Sequence, residues 1–159
     1  MNADIQKAID DVREAQKTLK KLASERGEEI FRGLVSELFA AVGDELHAVR
    51  LQGYIPFFND GDACVFGLYD PTWRFDEDGE FEEGTTGFEY CDADYPGAKS
   101  IGGGKYYYAP SFVADEAPYQ RFSSEVAALE SFWNDAFGDH FEITATKDGV
   151  EVDEYTDHD

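Results

Sequence analysis

Basic side chains are scarce in this chain, and it has no long apolar run. Its 159 residues include 13 Lys or Arg against 35 Asp or Glu, which gives a formal net charge of −22. Because nucleic acids and anionic membranes attract Lys and Arg, this balance argues against direct binding to either. No apolar run approaches the ~20 residues that span a bilayer. The sequence also starts without the basic and apolar segments of a secretory signal.

Cysteine is also rare, since the chain contains only Cys64 and Cys91. They lack the short spacing of a metal or redox motif, and two cysteines in a chain of this length are typical of a reducing compartment. We therefore expect a cytoplasmic protein. Hydrophobic residues make up 42% of the chain and aromatic residues 15%. This composition excludes a disordered chain of low hydrophobicity and predicts a domain with a real core.

The acidity is concentrated in the second part of the chain. Residues 1–50 contain 10 acids and 8 bases, whereas residues 51–159 contain 25 acids and 5 bases. Residues 70–94 alone contain 10 acids, with Arg74 as the only base. Such a segment either keeps the protein soluble or binds a basic partner.

Apolar periodicity predicts two N-terminal helices, at 3–23 and 28–43, separated at Gly27. The second helix has a wide, core-facing stripe. The first has a narrow heptad seam, which is typical of a helix that pairs with a neighbour or with a second copy. We therefore treat residues 1–26 as a candidate oligomerisation element that could form a homodimer through residues 3–23. The seam residues are Ile5, Ala8, Val12, Ala15, Leu19 and Leu22.

The period then changes from helical to alternating, which predicts antiparallel hairpins. A third helix is predicted at about 120–137, and a terminal hairpin follows it. The expected fold class is α+β: two N-terminal helices, a mainly antiparallel sheet of hairpins, and one further helix packed on the sheet. Residues 27–155 would form a single domain, and residues 156–159 a frayed acidic tail.

The stretch "QGYIPFFNDGDACVFGLYDP", from Gln52 to Pro71, predicts a hairpin. Asp60-Gly61 is a strong signal for a tight type I′ turn, because both residues tolerate positive φ. With these two residues as the loop, paired residue numbers sum to 121, so Gly53 lies opposite Leu68. Both faces of this hairpin are largely apolar, so each is expected to pack against another part of the chain or against a partner.

The central stretch "QGYIPFFNDGDACVF" resembles a segment of small uncharacterised proteins of tailed bacteriophages and some bacteria. The shared pattern is P-[YF]-F-N-D-G-[DE]-x-C-x-F, and the resemblance covers about 15 of the 159 residues. It implies a phage-encoded accessory protein and carries no mechanism with it.

Motifs of known chemistry fail on their spacing. In "FDEDGEFEEG" the glycine lies too early for a calcium-binding EF-hand loop, and no glutamate closes the loop. "SIGGGKYYY" lacks the Ser or Thr that follows the lysine of a phosphate-binding loop. The three histidines form no metalloprotease or nucleophile motif. We predict no catalytic residue, no metal and no cofactor, and the sequence favours a non-enzymatic protein.

Two sets of candidate site residues remain. Acids mixed with aromatic side chains can imitate a nucleic acid, because carboxylates take the place of phosphates and rings offer stacking faces. The candidate partner-binding residues are Trp73, Asp76, Glu77, Asp78, Glu80, Glu82, Glu83, Asp92, Asp94 and Tyr95. An alternative aromatic pocket would be lined by Tyr54, Phe58, Tyr69, Tyr106, Tyr107 and Tyr108.

The leading expectation is a phage-encoded, non-enzymatic acidic protein that binds and inhibits a basic, nucleic-acid-handling host protein in the host cytoplasm. Nucleic-acid mimics, anti-restriction proteins and anti-CRISPR proteins act in this way. One alternative is a small-molecule or nucleotide-binding protein, or an enzyme, that uses the aromatic pocket. A further alternative is a virion or assembly component that oligomerises through its N-terminal heptads.

Overall fold

The computed structural model describes residues 2–56 and 64–155, and it has the predicted α+β class. The helices in these residues are α1 (Ala3–Val42), α2 (Ala117–Ala128) and α3 (Glu130–Phe137), with a 3₁₀ turn at Gly43–Glu45. The strands are β1 (Ala48–Tyr54), β2 (Gly67–Leu68), β3 (Thr72–Arg74), β4 (Glu89–Cys91), β5 (Lys99–Gly102), β6 (Lys105–Tyr108), β7 (Phe141–Thr146) and β8 (Gly149–Asp153). The predicted terminal hairpin is therefore confirmed as β7 and β8, while residues 156–159 lie outside the described residues.

The N-terminal region is one helix rather than two. Helix α1 is continuous over 40 residues, a length of ~60 Å. Asn2 caps its start by accepting a hydrogen bond from the Asp4 N–H at 2.7 Å. The predicted break at Gly27 was wrong, because Gly27 is buried where α1 meets α3. A Cβ atom at Gly27 would lie 2.5 Å from the Ala136 Cβ, so this glycine permits close helix packing.

Strand β1 lies at the centre of a five-stranded antiparallel sheet, the main sheet. β7 pairs with β1 on one side and is followed by β8, while β2 and β3 pair one after the other with the opposite side of β1. One face of the main sheet forms a single core with α2, α3 and the C-terminal half of α1. The buried side chains on this face are Val49, Leu51, Trp73, Phe141, Ile143 and Ala145.

The third helix is interrupted near its middle, at Leu129 between α2 and α3. Trp133, from the first turns of α3, is fully buried beneath this break. Its indole Nε1 donates to the Val126 carbonyl at 2.9 Å, so a carbonyl at the end of α2 gains a second donor. The Trp133 ring also lies edge-on to Phe31 of α1, at 5.7 Å between centroids. This residue joins all three helices.

The hairpin register expected from Asp60-Gly61 is confirmed where the structure describes it. Gly53 pairs with Leu68 and Tyr54 with Gly67, so each pair sums to 121. The turn itself, from Asn59 to Asp62, lies outside the described residues, and so does Phe58.

The edge strand formed by β2 and β3 contains one more residue than β1 does over the same distance. The Tyr69 N–H donates to the Gln52 carbonyl at 2.9 Å, whereas Thr72 lies opposite Arg50. Two steps along β1 therefore correspond to three along the edge strand, which is the residue count of a β-bulge.

This extra residue turns Trp73 towards the core. Trp73 lies directly opposite Val49, is only 3% exposed, and packs edge-on against Tyr119 at 5.1 Å between ring centroids. Trp73, one of the candidate partner-binding residues, is therefore buried rather than on the surface, because Thr72–Arg74 forms a strand of the main sheet.

A second, three-stranded sheet contains β4, β6 and β5, in that order, and we call it the small sheet. A glycine-rich turn joins β5 to β6, and Gly102, Gly103 and Gly104 all have positive φ there. Residues 85–87 and 110–112 lead into and out of the small sheet. They are joined by hydrogen bonds from the Gly87 N–H to Pro110 and from the Phe112 N–H to Thr85, both at 2.8 Å.

Glu45, in the 3₁₀ turn that follows α1, is hydrogen-bonded to residues at and just before the start of α2. Its carboxylate accepts hydrogen bonds from the Tyr119 hydroxyl at 2.6 Å and from the Ala114 N–H at 2.7 Å. Burial, together with this hydrogen bond to Glu45, raises the pKa of Tyr119 above its ordinary value. The phenol therefore stays protonated in the folded protein and keeps donating to Glu45.

Candidate functional site

The acidic segment after β3 forms a tight turn. The Gly79 N–H donates to the Asp76 carbonyl at 3.2 Å, which closes a turn over 76–79. Trp73 and Glu82 exchange two backbone hydrogen bonds, at 2.9 and 2.6 Å, on the flanks of this turn. The carboxylates from Asp76 to Glu83 are all exposed and point into solvent from a short hairpin. We call residues 76–83 the acidic hairpin.

None of these acids forms an ion pair within the described part of the chain. Three of the four ion pairs among the described residues lie within α1, and the fourth joins Lys147 to Asp44 at 2.6 Å. No acid described between residues 64 and 155 has a basic side chain within 4.0 Å.

The small sheet carries a row of exposed aromatic side chains on one face. Phe88 stacks on Tyr107 at 4.9 Å between centroids and meets Tyr90 edge-on at 5.1 Å. Phe88 is 55% and Tyr90 69% exposed, although large apolar rings normally gain by burial. Ile101, on the neighbouring strand β5, is 47% exposed. We call Phe88, Tyr90 and Tyr107 the aromatic face.

The opposite face of the small sheet combines rings with carboxylates. Tyr95 lies against Tyr108 at 4.4 Å between centroids, and the Tyr108 hydroxyl donates to Glu89. That hydrogen bond is the main cause of the raised pKa of Tyr108. Asp92 and Asp94 are exposed in the turn that holds Tyr95, and the Tyr95 N–H donates to the Asp92 carbonyl at 3.1 Å. Tyr95 itself is 44% exposed, as expected of a partner anchor.

The structure therefore keeps most of the predicted partner-binding set on the surface. Asp76, Glu77, Asp78, Glu80, Glu82, Glu83, Asp92, Asp94 and Tyr95 are exposed, and Trp73 is not. Sequence reasoning missed Phe88 and Tyr90 as surface residues. Their alternation with Glu89 is typical of a strand, but only the folded structure shows that both rings face solvent.

The alternative aromatic pocket is divided between the two sheets. Tyr54 stacks on Tyr69 at 5.0 Å between centroids, and both contact Tyr155. A hydrogen bond with Tyr54 is the main cause of the raised pKa of Tyr69. Residues 106–108 instead belong to β6 of the small sheet, and Phe58 lies outside the described residues. The five described residues proposed for one pocket are therefore divided between two sheets.

A polar cleft, missed from the sequence, lies over the solvent side of the main sheet at the additional residue of its edge strand. Its volume is about 600 Å³. Its lining residues are Arg50, Gln52, Tyr69, Asp70, Thr72, Phe81, Glu83 and Tyr155. The Arg50 guanidinium carbon lies 4.3 Å from the centroid of the Phe81 ring, and that of Arg74 lies 5.5 Å from it. Phe81 of the acidic hairpin thus covers two arginines.

These two arginines are incompletely satisfied. The Nε atoms of Arg50 and Arg74 and the Thr72 hydroxyl are buried atoms that find no hydrogen-bond partner in the described part of the chain. Neither arginine has a carboxylate within 4.0 Å there, although Asp70 and Glu83 line the same cleft. Buried donors without partners carry a desolvation cost, which a ligand that accepts from them would relieve.

In comparisons with known proteins, no protein-family model matches the chain, and no curated protein and no solved structure is significantly similar to it. Among the described residues, no three His, Cys, Asp or Glu side chains are grouped so that they could hold a metal ion. Within the same residues, every helix is too short or too polar to cross a membrane.

Proposed function

We propose that this chain is a phage-encoded, non-enzymatic protein that binds the nucleic-acid groove of a basic host protein in the cytoplasm and blocks it. The observation that carries the proposal is the absence of basic partners for the acids described between residues 64 and 155. In a chain of this net charge, repulsion between the carboxylates destabilises the folded state. Docking onto a basic groove relieves that repulsion and gains attraction.

The position of the exposed rings supports the same partner class. A groove that binds nucleic acid combines Lys and Arg with surfaces on which bases stack. The acidic hairpin and Asp92 and Asp94 supply the charge, while Tyr95 and the aromatic face supply rings that Arg side chains stack on. Large exposed aromatic side chains are also the residues that contribute most at protein interfaces.

The proposal is tested by capture from a host lysate at low and high salt. We expect the wild-type chain to retain a basic, nucleic-acid-binding protein at low salt and to release it as salt screens the charges. A variant that neutralises four acids of the hairpin should lose at least ~10-fold in affinity for the captured protein, because several charge pairs are lost together. Its substitutions are Asp76→Asn, Glu77→Gln, Asp78→Asn and Glu80→Gln.

A matched control separates the acidic hairpin from net charge as such. Four exposed acids on the helices are neutralised instead, which changes the net charge by the same amount. The substitutions are Glu25→Gln, Glu37→Gln, Glu125→Gln and Asp135→Asn. We expect this control to bind nearly as well as wild type. Equal losses in both variants, or capture that is indifferent to salt, would contradict a specific acidic interface.

The polar cleft favours a second candidate function, which is binding of a small zwitterionic molecule such as an α-amino acid. Its carboxylate would accept from Arg50 and the Thr72 hydroxyl, and its ammonium group would lie near Asp70 or Glu83. A zwitterion has no net charge, so the negative field of the protein does not repel it as it would a free anion. Phe81 and Tyr69 offer ring faces to an apolar side chain.

Thermal unfolding in the presence of each α-amino acid tests this second function. Because ligand binding to the folded state raises its stability by about 2.7 kcal/mol at 100 times the Kd, a matching ligand should raise Tm by several degrees. The Arg50→Gln variant should lose the shift, and Arg121→Gln, at an exposed helix position, should keep it. An unchanged Tm with every amino acid would exclude this ligand class.

A further inference from the structure

The first half of α1 has an apolar seam that the rest of the chain leaves uncovered. Every residue from 2 to 22 is exposed apart from Ile9, which is half-buried. Burial begins at Ala23, where α1 joins the core. The large seam side chains are 54% exposed at Ile5, 56% at Val12 and 44% at Leu19. About 30 Å of helix therefore projects with its heptad seam towards solvent.

We propose that residues 3–22 pair with the same segment of a second copy as an antiparallel, two-stranded coiled coil. The dimer does not depend on the function proposed above, because it follows from this helix alone. Two features of the segment indicate that a second copy covers the seam: its side-chain volumes and its charges are each complementary to those of an antiparallel copy.

The first complementarity is in volume. An antiparallel pairing in which residue numbers sum to 27 places Ile5 opposite Leu22 of the second copy and Ala8 opposite Leu19. Val12 then lies opposite Ala15. Each of the two alanines meets a larger side chain, as close packing of a seam requires. A parallel pairing would instead place Ala8 opposite Ala8 and Ala15 opposite Ala15. Those two layers of the coiled-coil core would then be underfilled compared with the layers of larger side chains beside them.

The second complementarity is in charge. Residues 3–14 contain four acids and two bases, whereas residues 15–22 contain three bases and no acid. Antiparallel pairing places the acidic half of each helix beside the basic half of the other. Parallel pairing would place the two net negative halves together and the two net positive halves together, which is less favourable. The acids are Asp4, Asp10, Asp11 and Glu14, and the bases of the second half are Lys17, Lys20 and Lys21.

The charge of the body favours the same orientation. Residues 1–22 have a net charge of +1, and residues 23–159, which we call the body, have a net charge of −23, which together give the −22 of the chain. Parallel pairing would bring two such bodies together at one end. Antiparallel pairing holds them at opposite ends of a coil ~27 Å long, which exceeds the Debye length of ~8 Å at physiological salt.

Residues 3–22 are already helical in the single chain, before a second copy binds. Starting a helix is the unfavourable step, and extending one is not. The part of α1 that packs on the body from Ala23 onwards supplies the nucleus, and Asn2 caps the far end. A seam of about three heptads can therefore associate without the ordering cost that an isolated peptide would meet. The resulting dimer presents two copies of the acidic hairpin, which raises its avidity for a partner with two grooves.

Sedimentation of the full chain over a range of concentrations tests the pairing. We expect dimers at the higher concentrations, a monomer for Leu19→Asp, and the same dimer for the control Gln6→Ala, whose exposed, uncharged side chain lies off the seam. Circular dichroism and Tm of Leu19→Asp should stay close to wild type at monomeric concentrations, because Leu19 is 44% exposed in the single chain. A wild-type chain that remains monomeric, or that forms a trimer or tetramer, would overturn the proposal.

Disulfide cross-linking tests the orientation, in a chain whose two native cysteines are replaced by serine. A mixture of Ile5→Cys and Leu22→Cys chains should form a cross-linked dimer on mild oxidation, and neither variant should cross-link alone. Cross-linking of each variant with itself would show a parallel pair and overturn the antiparallel one.

Discussion

Replacing Trp133 with alanine is expected to lower the free energy of unfolding by about 3–5 kcal/mol. The side chain is fully buried, so its loss leaves a large cavity between α1 and the α2–α3 junction. It also removes the Nε1 donor to the Val126 carbonyl and the edge-on contact with Phe31. Since typical domains are stable by only 5–15 kcal/mol, this one substitution should bring the chain close to unfolding. Urea denaturation followed by circular dichroism measures the effect.

The Trp133→Phe variant separates packing from the hydrogen bond. It fills most of the cavity and loses the indole N–H, while the Val126 carbonyl keeps the Leu129 N–H as a donor at 3.1 Å. We therefore expect a smaller loss, of about 1–2 kcal/mol. If alanine and phenylalanine destabilised the protein equally, the core position assigned to this ring would be wrong.

Two glycines of the same helix are expected to respond to alanine with opposite sign. Gly33 is exposed and has open space where a Cβ would lie, so Gly33→Ala should stabilise the protein by about 0.5–1 kcal/mol through helix propensity. A Cβ at Gly27 would lie 2.5 Å from that of Ala136, and Gly27→Ala should destabilise it by about 1–3 kcal/mol. Thermal or urea unfolding of the two variants gives both values.

A double-mutant cycle assigns the Gly27 effect to one contact. Adding Ala136→Gly removes the clashing methyl group, so it should recover part of the stability lost in Gly27→Ala, even though glycine costs α3 about 1 kcal/mol of propensity. Additive losses would place the strain elsewhere. A stabilising effect of Gly27→Ala equal to that of Gly33→Ala would contradict the close approach of α1 and α3.

The parts of the fold that local chemistry determines could be predicted from the sequence. Gly43 and Gly138 end helices with φ of 67° and 92°, and glycine is the residue that tolerates this region. The register predicted from a turn at Asp60-Gly61 is confirmed by the pair Gly53 and Leu68. These features depend on a few neighbouring residues, so their patterns are visible in one chain.

The errors came from contacts between distant segments. Gly27 resembled a helix end because the sequence does not show that Ala136 packs against it. Trp73 resembled a surface anchor because its direction depends on one additional residue in a strand that pairs over 20 positions away, with Val49. The polar cleft needs Arg50 and Phe81 in contact, which no local pattern predicts. The charge of the acidic hairpin could be counted from the sequence, but the absence of ion pairs to its carboxylates in the described part of the chain could not.

Competition with nucleic acid tests the central claim most directly. The host protein captured through the acidic hairpin is mixed with a short labelled duplex DNA or RNA that it binds, and the chain is added at constant ionic strength. If the chain occupies the nucleic-acid groove, it should displace the label completely, and the variant with four neutralised hairpin acids should need at least ~10-fold more protein to do so. A stable ternary complex, with label and chain bound together, would contradict the claim.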